Sequence, residues 1–186
     1  MKTIRIPLTL ILLVLNTVVL TAQKRNKNSE HDWRQMVTLS KTFGVNASSK
    51  KIGYFKNTNT MWNGWLIPWG IEIESSDIDN DYFKKSGYYK GELNYLSIGR
   101  NGFKSFRENT FLNISSNILF GMEELTEFSL KEKDNLVIGL SLSQGIVYIP
   151  KSIFGFVLGC GVYEKFLTSK IYPFDIGIEI SAGLKW

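Results

Sequence analysis

The chain has few of the residues from which catalytic and metal sites are built. It contains one cysteine, Cys160, and one histidine, His31, among its 186 residues. A single cysteine excludes an internal disulfide. Zinc sites combine several Cys or His ligands, which this chain cannot supply. His31 lies in the polar run KRNKNSEHD, away from any candidate strand, so a Ser/His/acid site is not expected. We therefore predict a protein that is not an enzyme and needs no cofactor.

Charge and hydropathy exclude two further classes of protein. The 22 basic and 17 acidic residues give a formal charge of +5, with both signs mixed along the chain. Without a dense basic cluster, nucleic acid is not an expected partner. Beyond residue 22 no apolar run approaches the roughly 20 residues that a transmembrane helix needs.

The first 22 residues have the layout of a secretory signal. Lys2 and Arg5 precede an apolar stretch over 6–20, and Thr21-Ala22 is followed by the polar run. This order is typical of a cleaved signal peptide, with an uncleaved anchor as the alternative. We predict that 1–22 is removed, that 23–32 is a polar leader and that 33–186 forms the mature domain.

The rest of the chain alternates between apolar and polar residues. From Phe174 to Trp186 every even position is apolar and every odd position is polar or glycine. A period of two predicts a strand with two different faces. This stretch is longer than the usual strand of roughly 5–6 residues, and it suits a tilted membrane strand of roughly 9–11. Candidate strands cover 33–45, 50–56, 62–75, 87–99, 110–122, 136–148, 153–167 and 172–186.

The non-apolar faces are rich in Gly, Ser and Asn rather than in long charged side chains. Small residues suit the crowded inside of an eight-stranded barrel, which leaves the apolar faces for lipid. Because an open sheet edge in hydrocarbon has unpaired backbone groups, the sheet must close. The sequence thus predicts an all-β fold, an eight-stranded antiparallel up-and-down transmembrane β-barrel. The alternative is a soluble lipocalin-like barrel whose apolar faces line a ligand cavity.

The links between candidate strands also suit a membrane barrel. We expect tight turns at 57–61, 99–102 and 149–152 and longer polar links at 75–86 and 123–133. Such barrels have short periplasmic turns and longer outer loops, so an even strand count predicts that both termini are periplasmic. Pro68 interrupts 62–75 and lacks a ladder donor, which predicts a bulge or a strand end there.

Charged residues on the Gly/Ser faces would lie inside the barrel and would need partners. A hairpin centred on Lys170 places Lys165 opposite Asp175 and Tyr163 opposite Gly177. We predict structural salt bridges rather than an ion path. The predicted interior charge network comprises Arg34, Glu72, Glu74, Lys165, Asp175, Glu179 and Lys185.

An acidic D-x-D-x-D run in the 75–86 link is a weak candidate metal site. Clustered carboxylates at alternate positions can bind Ca²⁺. An EF-hand loop starting at Asp77 would need Gly and Glu where Tyr82 and Tyr88 stand, so this is not an EF-hand. A solvated acidic loop is the favoured interpretation. The candidate ligands are Asp77, Asp79 and Asp81.

The leading segment, the alternating strands and the final strand ending in Trp186 resemble the small outer-membrane β-barrel family of Gram-negative bacteria (OmpA/OmpX-like barrels), over roughly 33–186. The resemblance implies an outer-membrane protein in contact with lipid and lipopolysaccharide. It also implies that the barrel assembly machinery recognises the last strand, at Ile178, Ile180, Ala182, Leu184 and Trp186.

The functions of that family are varied, and the fold alone does not choose among them. We expect a non-catalytic barrel that has a structural role or docks a partner, such as a larger envelope complex or a secretion or assembly machine. The alternative within the family is a lipid-modifying enzyme, which the absence of a barrel histidine disfavours.

Overall fold

A computed structural model describes most of the chain beyond residue 32. The described residues are 33–58, 60–62, 65–78, 85, 87–127, 132–152, 154–169 and 171–186. The predicted signal peptide 1–22 and leader 23–32 lie outside them, as do Asp79 and Asp81. Within these ranges no helix is long and apolar enough to cross a membrane.

The described chain is almost entirely extended, and eight of its strands are long. The remaining two, β3 and β4, are only two residues long each and pair with each other. The strands are β1 (Gln35–Gly44), β2 (Ala47–Lys56), β3 (Met61–Trp62), β4 (Trp65–Leu66), β5 (Trp69–Ile78), β6 (Tyr88–Arg107), β7 (Thr110–Glu127), β8 (Glu132–Tyr148), β9 (Gly155–Leu167) and β10 (Phe174–Lys185).

The eight long strands close into a barrel, as predicted. Each pairs antiparallel with its neighbours along the chain, and β1 pairs with β10 from Met36 opposite Lys185 to Gly44 opposite Gly177. Backbone bonds continue this seam to the C-terminus, because Arg34 N and Gln35 N donate to the Trp186 carbonyl at 2.8 and 2.9 Å. The result is an eight-stranded antiparallel up-and-down barrel.

Two predicted links are wrong because strands occupy them. Residues 99–102 lie inside β6, and the turn comes at 108–109. The glycines there are needed for packing rather than for turning. A side chain at Gly99 would collide with Asn117, and a Cβ at Gly102 would lie 3.1 Å from the Trp65 ring. The predicted link 123–133 is likewise mostly strand, since β7 runs to Glu127 and β8 begins at Glu132.

The predicted interruption at Pro68 is confirmed as a strand end. The candidate strand 62–75 divides into the β3–β4 hairpin and β5, which begins directly after Pro68. The Pro68 carbonyl still accepts a bond from Asn101 N, at 3.4 Å. Proline is thus placed where no ladder donor is lost.

The barrel is apolar outside and polar inside. All eight long strands expose large apolar side chains on the outer surface. The buried positions between them carry short polar side chains or charged groups, which is the reverse of a soluble sandwich. Buried polar residues include Thr38, Ser40, Ser49, Glu72, Ser97 and Asn117.

Two apolar clusters close the two ends of the interior. We call the end where β1 begins and β10 ends the terminus end and the opposite one the loop end. The terminus-end cluster contains Trp33, Met36, Phe55, Phe103, Phe111, Ile149 and Val157. The loop-end cluster contains Ala47, Ile78, Leu93, Tyr95, Leu119, Leu125, Val137, Leu167, Ile171 and Tyr172.

Because apolar side chains face outward, we predict that the loss of stability caused by an added outward charge depends strongly on its depth in the bilayer. Ile180 is mid-strand in β10 with 54% of its surface exposed, whereas Phe174 begins the same strand. We expect Ile180→Arg to lower the free energy of unfolding in lipid vesicles by about 2–4 kcal/mol, and Phe174→Arg by about 0–1 kcal/mol. Reversible urea unfolding measures both. Equal costs for the two variants would contradict a lipid-facing surface.

Candidate functional site

A lysine from β2 lies at the centre of the barrel between two carboxylates. Lys51 Nζ is 2.8 Å from Glu179 on β10 and 3.3 Å from Glu72 on β5. Glu72 also accepts bonds from Asn117 Nδ2 at 3.1 Å and Ser97 Oγ at 3.4 Å. Glu72 and Lys51 therefore join five strands, β2, β5, β6, β7 and β10.

A second ion pair lies in the same interior. Lys165 on β9 donates to Glu74 on β5, and both side chains are almost fully buried. The Lys165 ammonium also lies 4.5 Å from the centre of the Tyr163 ring and 5.3 Å from that of Tyr95. Ring faces attract a cation, so this lysine is held by charge and by aromatic contact.

The predicted register of the last hairpin is observed. Asp175 lies opposite Lys165, and Tyr163 lies opposite Gly177. The Lys165 ion pair is nevertheless made with Glu74, while Asp175 accepts a 2.7 Å bond from the Tyr163 hydroxyl. Gly44 on β1 leaves room for this pair, because a side chain there would collide with the Asp175 carboxylate and the Tyr163 hydroxyl.

Two residues of the predicted interior charge network, Arg34 and Lys185, take no part in the salt bridges described above. Arg34 was expected inside, but its side chain is exposed because β1 begins only at Gln35 and the alternation ends with the strand. Lys185 is buried, and its ammonium donates to the Ser152 carbonyl at 2.6 Å. It thereby anchors the link between β8 and β9.

Sequence reasoning missed Lys51, the central cation. Because Lys50 and Lys51 are adjacent, the alternation of the sequence did not show which of the two side chains points inward. The available signal was Gly53, which shares the small-residue face with Lys51 at a spacing of two. The excess of predicted interior carboxylates over cations was a second signal.

Shorter polar contacts fill the rest of the interior. Ser49 bonds Ser76 at 2.7 Å across β2 and β5, and Ser115 bonds Ser143 at 2.6 Å across β7 and β8. Near the loop end Ser169 Oγ donates to Glu123 at 2.5 Å. These bonds satisfy polar atoms that would otherwise be buried without partners.

The remaining interior space is small. One cavity of about 60 Å³ lies beside Lys51, Glu72 and Glu179. That volume holds a few water molecules, whereas ligand pockets span roughly 300–1,000 Å³. The described interior can therefore fix charges and strand register, and this cavity is smaller than a typical ligand pocket.

The weak metal candidate gains no support from the part of it that is described. Asp77 is exposed on the outer face of β5, and Asp79 and Asp81 lie outside the described residues. Within the described ranges, no group of three or more His, Cys, Asp or Glu side chains is arranged to hold a metal ion.

The predicted assembly residues do not all share one environment. Ile178, Ile180 and Ala182 are exposed on the outer face of β10, and Leu184 is half-buried. Trp186 was expected on the same face but is only 4% exposed. It follows the end of β10, where the strand no longer dictates the side-chain direction.

One charge pair braces the turns at the terminus end. Lys151 Nζ donates to Glu108 Oε1 at 2.8 Å between the β8–β9 link and the β6–β7 turn. The ammonium stabilises the carboxylate and so lowers the pKa of Glu108. Both side chains are exposed, so the contact adds little to stability.

Comparison with known proteins gives a likeness in fold only. No family model matches the chain, and no curated protein does. Among solved structures, Neisserial surface protein A is 12% identical with a TM-score of 0.51, over 81% of this chain and 94% of that one. The attachment invasion locus protein Ail of Yersinia pestis is 15% identical with a TM-score of 0.48, over 81% and 93%. The outer membrane enzyme PagL is 10% identical with a TM-score of 0.45, over 81% and 97%.

The closed barrel, its inverted polarity and the likeness to Neisserial surface protein A define the class of fold. The chain has the fold of the small eight-stranded outer-membrane β-barrels.

The central lysine yields a stability prediction. Lys51→Met leaves Glu72 and Glu179 without their shared cation, so we expect the free energy of unfolding to fall by about 3–5 kcal/mol. The outward neighbour gives a contrasting control, because Lys50→Met removes a charge from the outer surface and should leave the free energy of unfolding unchanged or raise it. Adding Glu72→Gln and Glu179→Gln to Lys51→Met should recover much of the loss. Urea unfolding in vesicles measures all variants, and equal effects at 50 and 51 would refute the ion-pair role.

Proposed function

We propose that this protein is a non-catalytic integral outer-membrane barrel that serves as a structural element or docks an envelope partner. The observation that carries the proposal is the combination of a predominantly apolar outer surface with a polar interior that contains ion pairs and hydrogen bonds. Such an outer surface is stable against acyl chains and unstable in water. The protein would reach this membrane through a cleaved signal peptide, with both termini in the periplasm.

The filled interior supports a role that uses surfaces rather than a lumen. Many polar side chains inside the barrel bind one another, as Glu72 and Glu74 do with lysines, and an apolar cluster lies at each end. Contacts with lipid, lipopolysaccharide or protein partners would then be made by the lateral wall and the loop end. A lipocalin-like function would need the apolar side chains to line a cavity, and they lie outside.

The final strand supports a specific route of biogenesis. In this proposal the barrel assembly machinery recognises the outward row Ile178, Ile180 and Ala182, together with Leu184 and Trp186. The β1–β10 seam can form only after β10 is present, so recognition of the last strand would couple insertion to closure.

Fractionation of expressing cells tests the membrane assignment. We expect the protein in the outer membrane, with a band that migrates differently in unboiled and boiled samples because the closed ladder resists detergent. Deletion of the gene should leave the mass of lipid A unchanged. A soluble periplasmic protein would overturn the membrane role, and a shift in lipid A mass would revive the lipid-modifying alternative.

Loss of the seam should abolish assembly rather than weaken it. We expect Trp186→Ser, or deletion of 174–186, to leave little heat-modifiable protein in the outer membrane. Trp62→Ser is the matched control, because Trp62 is 71% exposed in the β3–β4 hairpin beside the barrel. Normal membrane levels of the Trp186 variant would contradict its role in closure.

A further inference from the structure

Basic side chains lie around a tryptophan on the outer wall near the terminus end. Lys56 on β2 is opposite Trp69 on β5, and Trp69 is opposite Arg100 on β6. All three side chains are exposed, and they follow the outward alternation of their strands. Lys104 is the second outward residue after Arg100 along β6 and is also exposed. Three cations therefore share one part of the wall.

A second indole ring lies beside Lys104. The outward position between Arg100 and Lys104 is Gly102, and a Cβ there would lie 3.1 Å from the Trp65 ring. The ring therefore packs over the glycine. The Lys104 ammonium is 5.8 Å from the centre of the same ring. We call this part of the wall the basic–indole sector; its members are Lys56, Trp65, Trp69, Arg100 and Lys104.

The basic groups of the sector can reach one level of the membrane. Lys56 ends β2, whereas β6 continues beyond Arg100 to Arg107, so Arg100 lies nearer the middle of the wall. With strands tilted by roughly 35–45° and spaced about 4.8 Å apart, two steps across the sheet amount to about 6 Å of depth. An extended arginine side chain makes up that difference, and long basic side chains in a membrane extend to the nearer interface. For Arg100 the nearer interface is the terminus end, where Lys104 lies.

No acidic side chain neutralises these cations. Among the described residues, Lys56, Arg100 and Lys104 make no salt bridge. Glu108 in the adjacent β6–β7 turn is paired with Lys151 instead. The β7 residues opposite this stretch of β6 carry no charge; they are Ser116, Ile114 and Leu112. The sector therefore has a positive charge that a neighbouring molecule can balance.

Apolar side chains border the sector on the side of the membrane interior. Ile71 and Ile98 lie opposite each other, one outward position nearer the loop end than Trp69 and Arg100. Ile114 on β7 is 51% exposed. A molecule that covers this surface must therefore be anionic toward the terminus end and apolar above it. Indole rings favour this boundary between headgroups and acyl chains.

We propose that the basic–indole sector binds the headgroup of an anionic phospholipid. The Arg100 guanidinium and the Lys104 ammonium donate charge-assisted hydrogen bonds to the phosphate, and Lys56 adds a third positive charge on the other side of Trp69. The acyl chains lie along the isoleucines above. Basic clusters beside a membrane recognise anionic lipids in this way. The inference rests on the proposed function, which puts the terminus end at the periplasmic, phospholipid-containing leaflet.

Lipid retention tests the preference for an anionic headgroup. The full chain is reconstituted in vesicles of equal parts phosphatidylglycerol and phosphatidylcholine, transferred to mild detergent, and its bound lipids are counted by native mass spectrometry. We expect wild-type protein to retain phosphatidylglycerol over phosphatidylcholine by roughly tenfold. Arg100→Gln combined with Lys104→Gln should abolish the preference. Lys41→Gln combined with Lys50→Gln is the matched control, because it removes the same charge from the loop-end half of β1 and β2 and should keep the preference.

A labelled lipid tests the position of the site and the source of the phosphate. Phosphatidylglycerol with a photoactivatable headgroup should label the peptides that contain Trp65 and Lys104, and excess inorganic phosphate should not displace it. Both measurements use wild-type protein, so they decide the matter even where a variant fails to fold.

Four results would overturn the proposal: equal retention of the two lipids, a preference that survives loss of Arg100 and Lys104, equal loss in the control pair, or displacement of the label by inorganic phosphate. Every sample is also tested for the heat-modifiable band. Loss of that band in wild-type protein would instead refute the barrel function.

Discussion

Closure of the backbone ladder between β1 and β10 is the constraint on which the rest of the structure depends. In hydrocarbon each unpaired N–H or C=O costs several kcal/mol, so a sheet with free edges is not stable there. The nine paired positions from Met36–Lys185 to Gly44–Gly177, with the bonds to Trp186, remove both edges. Once the sheet is closed, one face of every strand lies inside a narrow lumen and the other lies outside.

That geometry decides which side chains each strand can carry. The lumen of an eight-stranded barrel is filled by side chains, so polar groups placed there must bind one another. Lys51 with Glu72 and Glu179, and Lys165 with Glu74, meet this requirement and join β2, β5, β9 and β10. The outer surface meets the opposite requirement with apolar residues. Outward charges such as Lys41 and Lys50 are exceptions on that surface.

Period-two alternation was enough to predict the barrel, the faces of β7–β10 and the register of the last hairpin, because side-chain direction in a strand depends only on position. It failed where strands end. Arg34 and Trp186 have the spacing of inward and outward residues respectively, but both lie just outside the strands β1 and β10, and Arg34 is exposed while Trp186 is buried. It failed also at Gly99 and Gly102, which resemble a turn but accommodate Asn117 and Trp65. Lys51 was missed because its neighbour is also lysine, and only contacts from other strands distinguish the two.

Photolabelling from within the bilayer tests the central claim most directly. A carbene precursor attached to a lipid acyl chain would be activated in vesicles containing the wild-type protein, and labelled residues mapped by mass spectrometry. The account predicts labelling at even positions of β10, at Ile176, Ile178 and Ile180, and none at Gly177, Glu179 or Ser181. Labelling at the odd positions, or the absence of label from the whole strand, would contradict a barrel whose apolar face meets lipid.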